Sequence, residues 1–450
     1  MTLKISQKKF ILVLIIVGLI VGFVCAFTFG NDPGFSDDAR SYDEFAQTLM
    51  QDGFKTDLWV KNQLFDRPLY PIFLAGVYTI FGHNFDVVRV IQILMFVMIG
   101  ILLYLTCQYI FSEKISRLVG MLWMFAYSPA AYAGILYRET FFTLLIIIML
   151  YFLYKAQYKL STLSFALSGL FLALALLTNS VFQFLIVLLV VNFLIIFKKQ
   201  NFGFKIKNLL FFLMPFLIIV GGWLIFCQVS LKNIPTGGAG LFLAERVETM
   251  HNINDKYVEH LIGNGIGDYV AYKIDPNYDP KLSRHGWQAW AQYDKLVAEG
   301  VDFQTIDEFF TKPALQEIIK HPIMFIKMEI IDFLKFNQPM TPIVWMQAMF
   351  VDTHPDMNGW IKISIILAIR LLYLFFSILV IYSIIKMFKK WSHVSWLIII
   401  IFYFNFVYST LHATARYSIP LYPLYIIFLV LGIIILINKI KHTHENLFNN

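Results

Sequence analysis

The sequence predicts an all-α integral membrane bundle of about ten transmembrane helices, with interfacial helices in its first external loop and a small, mostly helical external domain. Three observations carry this. Of the 450 residues, 58% are hydrophobic and 14% charged, where a soluble domain carries about a quarter; so few charges cannot cover a water-soluble surface of this size. Apolar runs of about 20 residues, the length a bilayer of about 30 Å demands, recur along the chain. Counted from a cytoplasmic N-terminus, the basic connections between those runs all fall on one side.

In chain order, Lys4, Lys8 and Lys9 precede an apolar run at 10–29 that no small-x-small cleavage pattern follows, so it is expected to remain as a first helix. Further spans are expected at 86–111, 117–137, 140–157, 161–178, 180–197, 208–230, 361–385, 394–411 and 420–438. The cytoplasmic connections then hold Lys114 and Arg117, Lys155 and Lys159, Lys198, Lys199, Lys205 and Lys207, and Lys386, Lys389 and Lys390, with Lys439 and Lys441 in a cytoplasmic tail. This is the pattern of a multi-pass plasma-membrane protein with both termini inside. The net charge of +7 reads as that orientation signal; the clustered basic face of a nucleic-acid binder is missing. Cys25, Cys107 and Cys227 lie far apart in apolar runs, which suggests neither a disulfide framework nor a metal site.

Two long segments are expected outside. The first, 30–85, carries the acidic stretch Asp37-Asp38-Ala39-Arg40-Ser41-Tyr42 and then an apolar run at 68–81, too short to cross and expected to lie in the interface. The second, 231–360, opens with turn-rich sequence and closes with helical periodicity at Leu315, Ile318, Ile319, Ile323, Phe325, Ile326 and Ile330. The chain thus divides into a transmembrane region at 1–230 that includes the first external loop, an external domain at 231–360, and a second transmembrane region at 361–450. No internal repeat or low-complexity linker interrupts it.

Ionisable residues at the outer ends of spans are costly to keep there and mark chemistry. Asp37 and Asp38 stand just beyond the first helix, where a carboxylate can act as general base; capping the helix at 39–50 is the plain alternative. Arg138 and Glu139 share a short outer turn, as a site or as an interfacial ion pair. His412, Arg416 and Tyr417 lie between the last two spans, and the arginine fork suits a phosphate. Arg67 and Tyr70 open the short apolar run, with Arg89 further on. Arg370 falls about nine residues into its span, about 13 Å deep, and is expected to face the bundle interior or a cavity. The glycines at 263–267 follow no strand, and the histidines of the external domain lack metal-ligand spacing. No P-loop or other nucleotide motif occurs, which argues against ATP-driven chemistry.

Four of these pieces, in this order on one face, resemble the superfamily C membrane glycosyltransferases, in the branch of the protein O-mannosyltransferases and the lipid A aminoarabinose transferase. Asp38-Ala39-Arg40-Ser41-Tyr42, with Ala46 four residues on, is similar to the family's acidic first-loop motif. The segment from Arg67 to Ala75, ending at Phe81-Gly82, is similar to the stretch that follows it. Glu139-Thr140 looks like a second acidic position. Arg416-Tyr417-Ser418-Ile419-Pro420-Leu421-Tyr422-Pro423 looks like the arginine-tyrosine-proline segment before the last helix. The chain departs from the family at Asn179, where an arginine and a proline are frequent, and in reading Asp-Asp rather than Asp-Glu at 37–38.

The resemblance implies a hexosyl- or pentosyltransferase that moves a sugar from a polyprenyl-phosphate donor to a glycan, lipid or protein acceptor of the cell envelope, on the external or periplasmic face. It implies inversion at the anomeric carbon, with Asp38 as base and Asp37 or Glu139 as further acidic candidates. Arg67, Tyr70, Arg138, Arg370, His412, Arg416 and Tyr417 are the candidates for the donor's phosphate and lipid. The scheme needs no metal, although an Asp37-Asp38 pair could recruit a divalent cation. A polymerase or ligase of lipid-linked oligosaccharides, a flippase or transporter of lipid-linked sugars, and a non-enzymatic scaffold are the alternatives.

Overall fold

The computed structural model describes residues 6–29, 37–53, 67–231, 238–284, 286–338, 359–441 and 447–448. Among the described residues it is all-helical, with helix at 87% and no strand. In chain order the α-helices are α1 (Gln7–Phe29), α2 (Asp37–Asp52), α3 (Leu69–Phe81), α4 (Phe85–Ile110), α5 (Glu113–Met124), α6 (Tyr127–Tyr132), α7 (Glu139–Lys159), α8 (Thr162–Thr178), α9 (Leu185–Ile196) and α10 (Phe202–Phe226). They continue as α11 (Ala239–Asn252), α12 (Tyr257–Gly265), α13 (Asp268–Ile274), α14 (Trp287–Ala298), α15 (Phe303–Lys320), α16 (Pro322–Phe336), α17 (Gly359–Met387), α18 (Trp391–Thr410) and α19 (Tyr422–Ile440).

Six described segments are long and apolar enough to cross a membrane: α1, α4, α7, α10 with its extension to Ser230, the stretch Gly359–Thr410 that holds α17 and α18, and Ala415–Ile440. Leu69–Phe81, Thr162–Thr178 and Ser180–Ile196 are apolar but shorter. The stretch expected to span at 117–137 is instead divided into α5 and α6. Pro129 has no N–H to give to the carbonyl four residues back, and it falls in the first turn of the second helix, which starts at Tyr127.

The chain forms two compact units, Met1–Phe226 with Ser377–Ile401 and Ile419–Asn450, and Cys227–Phe376 with Phe402–Ser418. In the first, α1 packs on α4, α5 and α6, α4 on α7, α7 on α8, and α8 on α10. Polar side chains join these helices where lipid offers no hydrogen bonds. Gln157 on α7 donates to the Ser392 carbonyl (2.7 Å) and accepts from Trp396 Nε1 (2.7 Å), and Asn192 on α9 donates to Ser395 Oγ (2.9 Å). Asn84 caps α4, its Oδ1 accepting from the amides of Asp86 and Val87.

The amphipathic α2 lies on α3. Ala39, Tyr42, Phe45 and Ala46 form its buried face, against Tyr70, Leu74, Ala75, Val77 and Tyr78 of α3 and Leu136, while Arg40 and Glu44 stay exposed. In the second unit, α11 packs on α14, α15 and α16, and α12 on α13 and α16. Met250 and Ile253 meet Met328 and Ile331 in its core.

Gly169 on α8 allows α10 to approach so closely that an added Cβ would overlap the Phe212 carbonyl. Gly169→Val is therefore expected to cost about 1–3 kcal/mol through overpacking and to lower the thermal midpoint of the detergent-solubilised protein. Gly221→Val, where nothing lies within 4 Å of the added carbon, is expected to leave it unchanged.

Candidate active site

The candidate residues fall into two groups, one in each unit. In the first unit they gather around Tyr42, whose ring is buried and packs edge-on against Tyr70 at 5.1 Å. The side chains of Asp38, Arg67, Arg138 and Glu139 all lie within electrostatic reach of its phenol. Burial pushes the Tyr42 pKa up; Asp38 and Glu139 add to the rise, and Arg138 and Arg67 oppose it. Four charges from three separate stretches thus share one neighbourhood, two of each sign. Asp38 sits in the first turn of α2 and is half-buried, whereas Arg138 and Glu139 are buried. Glu139 opens α7, where the helix dipole favours a carboxylate. Arg138 Nη1 donates to the Thr178 carbonyl at the end of α8 (3.4 Å). Next to it, Asn179 accepts from the Val181 amide (3.2 Å), so this position caps a turn. The side chain of Asp37, and with it the Asp37-Asp38 cation pair, lies outside the described residues.

Polar groups on α4 hold this neighbourhood in place. Arg89 Nε donates to the Gly134 carbonyl (2.9 Å) and its Nη1 to Asp86 (3.0 Å). Gln92 donates to the carbonyls of Ala133 (3.1 Å) and Ile135 (2.8 Å) and accepts from Tyr70 Oη (2.9 Å). One buried amide therefore fixes both the loop leading to Arg138-Glu139 and the start of α3. A second anchor is Asp43, one residue past the acidic motif and buried. It accepts from Tyr78 Oη (2.7 Å) and Gln47 Nε2 (2.8 Å) and lies 2.9 Å from His83 Nε2, which fixes α2 on α3. Sequence reasoning passed over Gln92 and Asp43. The only local hint at Asp43 was an acid one position after the aromatic on the buried face of α2.

In the second unit, Arg416 lies over the Tyr417 ring at 5.0 Å, and Tyr417 stacks on Tyr408 at 5.1 Å. His412 Nδ1 lies 3.0 Å from Glu245 Oε2, and Arg246 donates to the Leu411 carbonyl (3.0 Å). Two consecutive residues of α11 thus hold the segment that carries Arg416. Burial pushes the Glu245 carboxyl up, but the hydrogen bond and charge of His412, with Arg246 and Lys335, hold it down at about 2.

Behind this pair lies a buried ionic cluster. Arg246 and Lys335 both pair with Asp332, Lys335 at 3.0 Å, and Glu329 accepts from Thr410 (3.2 Å). Burial pulls the Lys335 pKa down against the Asp332 charge. Arg370 is half-buried, within electrostatic reach of Asp268 and Tyr373. Glu245, Arg246, Glu329, Asp332 and Lys335 were not singled out from the sequence.

Helices capable of crossing a membrane, with carboxylates and guanidiniums at their ends, define a multi-pass membrane protein with a polar site. The family model described as dolichyl-phosphate-mannose-protein mannosyltransferase matches residues 66–226. Over that stretch the chain is similar to the membrane glycosyltransferases of superfamily C, in agreement with the resemblance read from its motifs. The match includes Arg67, Tyr70, Arg138 and Glu139 and begins after Asp38. No curated protein and no solved structure matches the chain.

Burial pushes the Glu329 carboxyl up to about 7, with Asp332 adding to the rise and Arg246 and Thr410 opposing it. Between its ordinary value of 4.5 and about 7, the folded chain holds a proton that the unfolded chain has released, so this group's contribution to stability falls as pH rises through that window. The loss reaches about 3 kcal/mol above the window. Glu329→Gln is expected to remove it: the thermal midpoint of the variant, measured on the full chain in detergent, should gain on wild type steadily from pH 4.5 to 7.5.

Proposed function

We propose that this protein transfers a sugar from a polyprenyl-phosphate-linked donor to a glycan, lipid or protein acceptor on the external face of the membrane, with inversion at the anomeric carbon. The observation that carries the reading is the convergence of Asp38, Arg67, Arg138 and Glu139 on Tyr42, with three of the four inside the stretch similar to mannosyltransferases.

Asp38 is the general base. It is the more exposed of the two carboxylates, so an acceptor can reach it, while Glu139 is enclosed and sets the local charge. The Asp38 carboxylate takes the proton of the acceptor hydroxyl as its oxygen bonds to the anomeric carbon. The bond from that carbon to the phosphate oxygen breaks on the opposite side, and polyprenyl phosphate leaves with the electron pair. Arg67 and Arg138 stabilise the charge that develops there. Tyr70 shapes the apolar side of the site.

Purified protein incubated with labelled polyprenyl-phosphate sugar and a cell-envelope acceptor fraction tests the reading. Release of polyprenyl phosphate with transfer of label is expected, and Asp38→Asn should reduce turnover by about 10²–10⁴ while donor binding persists. Arg67→Ala should lower kcat/KM for the donor while the fold persists. Near-normal transfer by the Asp38 variant, or movement of intact donor between leaflets without cleavage, would overturn the proposal.

A further inference from the structure

The face of α16 that its own unit leaves uncovered is apolar. Ile323 is 72% exposed, and Ile326, Ile330 and Phe333 continue the line in the open. Their spacing of 3, 4 and 3 residues makes one stripe along α16. The opposite face is the inward one, with Met328, Ile331, Asp332 and Phe336 buried. Of the periodic residues read in the sequence, Ile323, Ile326 and Ile330 thus lie on an outward surface, while Phe325 packs on the core.

Within the same unit, α16 is fastened to the end of α18, a helix of the membrane-crossing stretch Gly359–Thr410. Asn337, just past α16, donates to Asn405 Oδ1 (2.7 Å). Phe336 stacks on Tyr408 at 5.2 Å, and Glu329 accepts from Thr410 (3.2 Å). From Asn337 to Glu329 is about 12 Å of helix, matched to about 7.5 Å of α18 from Asn405 to Thr410. α16 therefore climbs obliquely past the last turn of a spanning helix, with Phe333 and Ile330 level with that turn and Ile323 beyond it.

We propose that α16 is an interfacial helix whose stripe from Ile323 to Phe333 is seated in the adjacent membrane leaflet, among acyl chains at Phe333 and Ile330 and in the headgroup zone at Ile323. The composition suits lipid: three isoleucines and a phenylalanine, where protein-binding centres favour Trp, Tyr and Arg. The placement rests on the tie to α18 and is independent of the catalytic reading.

The test uses the full chain in phosphatidylethanolamine–phosphatidylglycerol vesicles. Single Ile323→Cys, Ile326→Cys, Ile330→Cys and Phe333→Cys variants carry a small fluorophore, with exposed Gln304→Cys as the aqueous control; the native cysteines are buried. Quenching by brominated acyl chains should be strongest at Phe333 and Ile330 and fall towards Ile323. Aqueous iodide should reach Gln304 at least five-fold better than Ile326. Iodide quenching at Ile326 and Ile330 equal to the control would overturn the proposal. So would shielding from both quenchers, the result expected if a second copy or another protein covers the stripe.

Discussion

A charge held beside hydrocarbon must meet another charge, a dipole or a backbone carbonyl, because no water is there to do so. Arg89 and Arg138 show how closely the first unit follows this rule. Each is buried, and each donates to a main-chain carbonyl of another segment, Arg89 to Gly134 and Arg138 to Thr178. The consequence is structural as well as electrostatic. A guanidinium that must find carbonyls pulls the segments bearing them into place, and the loop tied down in this way leads directly to Glu139.

The second unit meets the same requirement with paired side chains. Asp332 is fully buried between Arg246 and Lys335. Removing one partner from such a set strands a charge and costs about 3–5 kcal/mol, while the intact set adds little net stability. Its value lies in specificity. Glu245 and Arg246 are neighbours on α11 and bind His412 and the Leu411 carbonyl, so the chain beside Arg416 has one register on α11. A slip by one residue would leave a carboxylate and a guanidinium buried without partners.

The helices were legible in the sequence because hydropathy and periodicity are local. The apolar runs at 86–111 and 161–178 become α4 at Phe85–Ile110 and α8 at Thr162–Thr178. The short run at 68–81 becomes the 13-residue α3. The break between α5 and α6 was not read, since a proline in an apolar run also sits inside the unbroken α10, at Pro215. The site was legible only in part. Asp38, Arg67, Arg138 and Glu139 could be named from their places at the ends of apolar runs. Gln92, which joins Tyr70 to the loop at 133–135, could not, since one amide in an apolar helix carries no sign of which carbonyls it will meet 41 and 43 residues away.

The most instructive gap is on α16. The isoleucines at 323, 326 and 330 stand at helical spacing, and a core is the usual reading of such a stripe. Asp332 and Lys335 argue otherwise, because they continue the line of Met328 and Ile331 on the other face. In a water-soluble domain a helix buries its apolar stripe and exposes its charges. Here the charged line is inward, held by Arg246, and the isoleucines face out. That inversion is stable only where the surroundings are themselves apolar or the inward charges are fully matched, and a helix fastened to the end of a membrane-crossing segment satisfies both conditions.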